Sequence, residues 1–245
     1  MARQNRDLIT KSFGGVPLQI VCVAIIAATT SVVSTTALAG RSAATTGRVT
    51  GTVHLVARNG EKLASGAYPA RRVSKAPADT SELSNVIVFV QDAPAEAALQ
   101  GDRASIQQRD EAFVPRVLAV SRNSVVEFPN FDPFFHDVFS LSKDATFDLG
   151  RYPKGEKRER RFTRAGIVKV YCNIHSQMSA TIMVFDHHLF ATPSADGSFS
   201  IDGVPPGTWR VSAWHERIGA TTTPVQVSAG DTARLEFSLP VTDAK

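Results

Sequence analysis

Gly166-Ile-Val-Lys-Val-Tyr-Cys-Asn-Ile-His-Ser-Gln-Met-Ser-Ala-Thr-Ile-Met-Val-Phe185 decides the reading of this chain. Two alternating apolar runs, Gly166 to Tyr171 and Ala180 to Phe185, predict two strands. Between them Cys172, His175 and Met178 fall within seven residues, so one inter-strand loop can present all three. Upstream, Phe134-Phe-His-Asp-Val-Phe139 offers His136 at the start of another strand candidate. A soft thiolate, two imidazoles and a thioether form a donor set suited to copper. A trigonal His, His, Cys arrangement with a distant Met accommodates both Cu(I) and Cu(II) with little rearrangement. Zinc is the competing ion for one thiolate and two imidazoles, although structural zinc sites rarely recruit a thioether. Taken singly, a lone Cys or Met in such a chain reads as core filler.

The stretch from Ile106 to Phe185 resembles the cupredoxins, and its short Cys-x2-His-x2-Met loop is most similar to that of the amicyanins. The likeness extends to Phe113-Val-Pro115, Asn123-Ser-Val-Val-Glu-Phe-Pro-Asn130, Asp132-Pro133, Phe147-Asp-Leu-Gly150 and Phe162-Thr-Arg-Ala-Gly166, which fall where that fold has its strands and turns. The resemblance implies that His136, Cys172, His175 and Met178 are the ligands of one type 1 copper. The chain departs from it twice. Asp137 stands where Asn commonly follows the first His and ties the two ligand-bearing loops, and Ser176 stands where Pro often follows the second. An Asp can still accept a backbone hydrogen bond from the Cys172 loop, so ligation is expected to survive.

Residues 1–39 read as a secretory signal peptide: Arg3, Arg6 and Lys11 supply a positive start, Val16 to Val33 the apolar stretch, and Ala37-Leu-Ala39 a small-residue cleavage site. Pro17, Gln19 and Thr29-Thr-Ser31 dilute the alternative, an uncleaved membrane anchor. Val21 is too large to precede a lipidated Cys22. With the leader removed, Cys172 is the single cysteine left of two. An unpaired thiol in the oxidising periplasmic or secreted setting that export implies is a liability unless a metal or deep burial protects it.

The net charge of +4, from 27 basic and 23 acidic residues, falls further once Arg3, Arg6 and Lys11 depart with Asp7. That balance excludes a nucleic-acid-binding class. One basic run, Lys154 to Arg164, reads as a solvated edge strand rather than a docking patch for an acidic redox partner. Short alternating runs with frequent Gly, Pro, Asn and Asp predict an all-β chain, with residues 95–108 able to form one short helix or a polar loop.

Toward the carboxy end, Asp196-Gly197 signals a hairpin, Pro205-Pro-Gly207 a stiff turn, and Trp209 to Trp214 an alternating strand. Asp196-Gly-Ser-Phe-Ser-Ile-Asp-Gly-Val-Pro-Pro-Gly207 resembles the turn and strand signature of carboxypeptidase regulatory-like, prealbumin-type sandwiches. The resemblance covers about Leu189 to Leu239. That block alone has too few strands to cover its own apolar face, and Gly47 to Val56 and Asn85 to Val90 resemble the first two strands of the same family. The expected fold is therefore a cupredoxin Greek-key β-sandwich at 105–185, inserted into a prealbumin-like β-sandwich built from 47–93 and 186–241. In the competing layout the amino-terminal strands extend the copper domain.

The expected function is an exported carrier of single electrons between a donor and an acceptor protein, with no nucleic acid and no membrane span after leader cleavage. Copper storage or delivery would use the same ligands, but transfer proteins favour open, methionine-rich sites and this chain has three Met. An oxidase or nitrite-reducing enzyme needs a second copper centre. His54, His187, His188 and His215 are the histidines left for one, and they read as exposed polar residues. No nucleophile turn marks a hydrolase. A binding module with a structural metal is the remaining class, although Trp209 and Trp214, five apart, point to opposite faces of their strand and at least one is core.

Overall fold

A computed structural model describes residues 45–57 and 82–241, all of them strand, turn or loop apart from one short 3-10 turn at Glu82–Asn85. The leader and Cys22 lie outside the described residues. The strands in chain order are β1 (Gly47–Ala57), β2 (Val86–Val90), β3 (Arg103–Ser105), β4 (Gln107–Arg109), β5 (Ala112–Val114), β6 (Val117–Ser121), β7 (Val125–Pro129), β8 (His136–Ser142) and β9 (Ala145–Tyr152). They continue with β10 (Lys157–Arg161), β11 (Gly166–Cys172), β12 (Ser179–Phe185), β13 (Phe190–Ala191), β14 (Ser198–Val204), β15 (Gly207–His215), β16 (Gly219–Val227) and β17 (Thr232–Val241).

Four sheets stack in layers: β14-β1-β17, then β13-β2-β15-β16, then β6-β12-β11-β8-β9, then β10-β7-β3. The first pair encloses one apolar core, with Val49, Val88, Ile201, Val211 and Phe237 buried in it. The last pair encloses a second, with Val126, Phe128, Val138, Val170 and Ile182. The two middle sheets meet through a third cluster of Ile87, Val117, Met183 and Phe185, flanked by Phe89, Phe190 and Trp214. The chain is thus all-β, two sandwiches back to back.

Two-faced burial explains the composition of the middle strands. Val86, Val88 and Val90 of β2 face the first core while Ile87 and Phe89 face the seam. A strand buried on both sides reads as an unbroken apolar run, which is what Val-Ile-Val-Phe-Val is. On β12, Ala180, Ile182 and Val184 line the second core, and Met183 and Phe185 line the seam. Each fully buried Val or Ile contributes roughly 1.5–3 kcal/mol. Trp209 joins the first core and Trp214 the seam, as their odd spacing requires.

β1 lies between β14, antiparallel, and β17, parallel, so it is hydrogen-bonded to carboxy-terminal strands on both edges. Gly51 sits in the middle of β1 because a Cβ there would stand 1.9 Å from the Leu235 carbonyl and 2.8 Å from the Phe199 ring. β2 likewise lies between β13 and β15. Residues 95–102 form a loop, with no helix, and the chain then enters β3 and β4. Arg103, at the start of β3, pairs with Glu127 of β7 and Glu159 of β10.

The basic run forms β10, paired only with β7, with all five residues exposed. Two of the histidines expected to be exposed are buried instead. His187 is 6 % exposed; its Nδ1 accepts the Leu189 N–H and its ring lies on Phe185. His215, 1 % exposed, ends β15 opposite Val86, and its Nε2 reaches the Glu82 carboxylate. His54 and His188 are exposed, His188 paired with Glu96.

Polar contacts also cross the seam. Glu216, just past β15, accepts hydrogen bonds from Lys169 Nζ (2.5 Å), Thr181 Oγ1 (2.7 Å) and Arg116 Nε (3.0 Å), all from the neighbouring sandwich. Burial alone would raise the Glu216 pKa, but Lys169, Thr181 and Arg116 outweigh it and hold the carboxyl at about 2. A carboxyl depressed in the folded state stabilises the fold above its unfolded pKa, and the contribution disappears as pH falls through the folded value. Glu216→Gln is therefore expected to cost about 1–3 kcal/mol at pH 7, discounted for the partial exposure of its cationic partners. In urea unfolding, the gap to wild type should close as the pH is lowered from about 4.5 toward 2.

Candidate metal centre

The pairing of β11 with β12 runs from Gly166 opposite Val184 to Tyr171 opposite Ser179, leaving residues 172–178 as the connecting loop. The loop closes on itself: Cys172 N–H donates to the Met178 carbonyl (3.3 Å) and Met178 N–H to the His175 carbonyl (3.0 Å). Cys172 also lies opposite Val138 on β8, which brings the loop to His136 at the start of that strand. Residues 36 apart in sequence meet because two strands of one rigid sheet are neighbours.

His136 Nδ1 and His175 Nδ1 are 3.1 Å apart, and Cys172 Sγ is 3.7 Å from each. Met178 is buried in the same core cluster as Cys172. Among the described residues, His136, Cys172 and His175 are the one group of His, Cys, Asp or Glu side chains whose donor atoms converge in this way. A triangle with these edges has its centre about 2 Å from every corner, the length of a metal–imidazole bond and slightly short of a metal–thiolate bond.

The protonation pattern fits an ion as well. The Asp132 carboxylate accepts backbone N–H bonds from Asp110 (2.7 Å) and Glu111 (3.1 Å), and its Oδ2 lies 2.8 Å from His136 Nε2. A carboxylate cannot donate, so Nε2 carries a proton, and Nδ1, which faces Cys172 and His175, is the nitrogen left free when the ring is neutral. The neutral Nδ1 is the form a metal needs. Burial lowers the His136 pKa, but its contacts with Cys172 and Asp132 outweigh burial and raise it.

Cys172 is 4 % exposed. Burial pushes its thiol pKa up, but the hydrogen bond with His136 and those from backbone groups of Asp137, His175 and Ile174 more than reverse this, to about 6. The sulfur is held as an acceptor, which is the thiolate state that binds metals.

Asp137 ties the loops differently from the expected carboxylate-to-backbone bond. Its backbone carbonyl accepts the Asn173 N–H (2.9 Å), and its carboxylate accepts the Asn173 side-chain amide at 3.3 Å. Its other carboxylate oxygen is buried without a partner. Burial and the nearby Asp148 raise the Asp137 pKa, against the Asn173 hydrogen bond.

A second tie escaped the sequence reading. The β4–β5 hairpin turns through Asp110 and Glu111, both at positive φ (54° and 55°). Such a turn usually takes Asn-Gly, and a Glu there costs on the order of 1 kcal/mol. The two N–H bonds into Asp132 offset that cost, and the Glu111 carboxylate accepts a 2.6 Å bond from Gln177 in the ligand loop. A carboxylate four residues before His136 was the available signal, masked because Asp132-Pro133 also reads as an ordinary turn.

Around the centre, the Phe134 ring packs 5.4 Å from the His136 ring and 5.2 Å from that of His175. Phe131, Phe135 and Ile174 are 45 %, 48 % and 41 % exposed, whereas Phe128 is core. Packing therefore accounts for Phe128, while Phe131 and Phe135 lie at the surface with Arg109 and Arg151 stacked on their rings.

The carboxypeptidase regulatory-like domain model matches residues 176–240. The match begins inside the ligand loop and includes β12, which pairs with β6 and β11. No curated protein matches the chain. Among solved structures, the chain is similar to a Cu-containing nitrite reductase from Thermus scotoductus SA-01, with 26 % identity, TM-score 0.32, and 39 % of this chain and 24 % of that one covered. It is also similar to a purple cupredoxin from Nitrosopumilus maritimus, with 20 % identity, TM-score 0.31 and coverage of 33 % and 98 %. An amicyanin variant in its Cu(I) form gives 18 % identity, TM-score 0.32 and coverage of 34 % and 81 %. The chain thus spans about a quarter of the length of the nitrite reductase it matches.

In the metal-free protein, the ultraviolet thiolate absorbance of Cys172 should appear with a midpoint near pH 6, and be absent from Cys172→Ala. A midpoint at the ordinary cysteine value of about 8.5 would contradict the hydrogen-bond set described for the sulfur.

Proposed function

We propose that this chain is an exported copper protein that carries single electrons between protein partners, with His136, Cys172, His175 and Met178 as the ligands of one type 1 site. The observation that carries the reading is the convergence of two imidazole Nδ1 atoms and one sulfur within 3.7 Å of each other. Bound copper would supply a one-electron couple.

The protein's residues do the rest. Cys172 and His136 are fixed by the sheet and closed from solvent, which limits rearrangement between oxidation states. His175 is only partly buried and offers an edge toward the surface. Exposed Ile174, next to it in the loop, and exposed Phe131 and Phe135, in the segment that leads into His136, supply an apolar contact area for a redox partner. A closed, rigid site supports carriage over storage or delivery. His54 and His215 lie apart from the adjacent His187 and His188, whose shared neighbour is Glu96.

Two further parts belong to the same proposal. Residues 1–39 act as the export signal, giving a periplasmic or secreted protein; no helix among the described residues is long and apolar enough to cross a membrane. Residues 105–185 form the copper domain, inserted between the 47–93 and 186–241 halves of the second sandwich. The pairing of β1 with β14 and β17 and of β2 with β13 and β15 supports that division.

Titrating the purified protein with Cu(II) tests the reading. An intense visible thiolate-to-copper band and a reversible one-electron couple are expected, with the band lost in Cys172→Ser. A colourless protein that prefers zinc overturns it.

A further inference from the structure

We infer that the Asp110–Glu111 turn and Asp132 form a bracket that positions the metal ligands, in addition to the Asp137–Asn173 tie. The inference rests on the reading of His136, Cys172, His175 and Met178 as ligands. Its basis is a continuous set of hydrogen bonds spanning both ligand-bearing segments. On one side, Asp132 fixes the His136 ring through Nε2 at 2.8 Å. On the other, Glu111 holds Gln177, one of the two residues between His175 and Met178, at 2.6 Å. Asp132 joins the two halves by accepting the N–H groups of Asp110 and Glu111.

The bracket is itself anchored. Asp132 N–H donates to Asn130 Oδ1 (2.9 Å), and Asn130 Nδ2 donates to the carbonyls of Phe134 (2.8 Å) and Tyr152 (3.2 Å). Tyr152 lies opposite His136 in the β8–β9 ladder, so the turn and the ligand share one scaffold. Asp132 is 4 % exposed, and a buried carboxylate with three donors has little freedom to reorient.

Two roles follow for residues that touch no metal. Asp132 selects the His136 tautomer that leaves Nδ1 free, and its negative charge makes the ring a stronger donor. Glu111 restrains the ligand loop from its exposed side, where the Asp137–Asn173 side-chain contact is long and leaves one carboxylate oxygen without a partner.

Asp132→Asn and Gln177→Ala separate the two arms, with copper ions alone as the probe. In metal-free wild type at alkaline pH, nitrogen-15 NMR should find the His136 proton on Nε2. Asp132→Asn should mix the two tautomers and weaken copper binding about tenfold or more. Gln177→Ala should leave the His136 tautomer unchanged but speed amide exchange of Asn173 through Met178 about threefold in the metal-free protein. Retention of the wild-type tautomer in Asp132→Asn, with affinity within about twofold, overturns the Asp132 arm. Unchanged loop exchange in Gln177→Ala overturns the Glu111 arm, and this exposed variant decides the matter if Asp132→Asn does not fold. A wild type that takes up no copper ends the metal reading, whereas the tautomer and exchange results in the metal-free protein judge the bracket separately.

Discussion

The antiparallel pairing of Gly166–Cys172 with Ser179–Phe185 constrains everything else. Its inward face, Val168, Val170, Ala180, Ile182 and Val184, fills the core beneath the ligand loop. Its outward face carries Met183 and Phe185 into the seam, and Lys169 and Thr181 to Glu216. A slip of one residue would exchange these faces, sending Ile182 to the seam and Thr181 into the core. The same slip would move Cys172 off Val138 and away from His136. Register in this ladder therefore sets the core, the contact between sandwiches and the meeting of the donor atoms together.

Such coupling explains what could be read from the letters. The Cys172, His175, Met178 spacing is local and chemically specific, and the alternation on either side fixes which residues face inward. Asp196-Gly197 and Pro205-Pro-Gly207 mark turns whose backbone requirements few other residues meet, with Gly197 at φ 87° and close to the Val53 carbonyl. The unbroken apolar run of β2 was legible as a strand, and its burial on both faces came from the fold. Contacts made only by the fold were not legible. Glu216 reads as a surface acid, yet it gathers Lys169, Thr181 and Arg116 from segments 35 to 100 residues away. His187 and His215 read as polar and exposed, because nothing local announces that a backbone N–H or a distant Glu will satisfy each ring. β3 to β5 are three residues each, too short for periodicity to register.

The electrostatics of the ligand pocket follow one pattern. Acidic groups are buried, and Cys172 and Asp132 are each matched by several donors. Cys172 Sγ has His136 and backbone N–H groups, and Asp132 has two backbone N–H groups and an imidazole. Asp137 is the exception: it has one long side-chain contact, one unpartnered oxygen and a like-charged neighbour in Asp148, and its pKa moves up as a result. Burying a charge is costly unless hydrogen bonds replace its water, so the surroundings favour charge on the Cys172 sulfur and oppose it on Asp137. The result is a sulfur held as an acceptor and a carboxyl group hydrogen-bonded behind the His136 ring.

The basic strand shows how similar letters serve a different end. Lys157 pairs with Glu127, and Arg103 bridges Glu127 and Glu159. On the alternate residues, Arg158 and Arg160 lay their guanidinium groups over Tyr152 and Phe147, covering the rim of the core with their long stems. Arg161 donates to the Asn123 carbonyl at 2.7 Å. Each of these cations is engaged within its own sandwich. The run is an exposed edge strand lined with charge, on which another chain's strand would have to bury Lys and Arg in order to pair. Exposed apolar residues lie elsewhere as well, with Ile174 next to the partly exposed His175 in the loop and Phe131 and Phe135 in the segment that leads into His136. Charge guards the edge of the sheet while apolar surface marks the approach to the donor cluster, and the two are kept on separate parts of one sandwich.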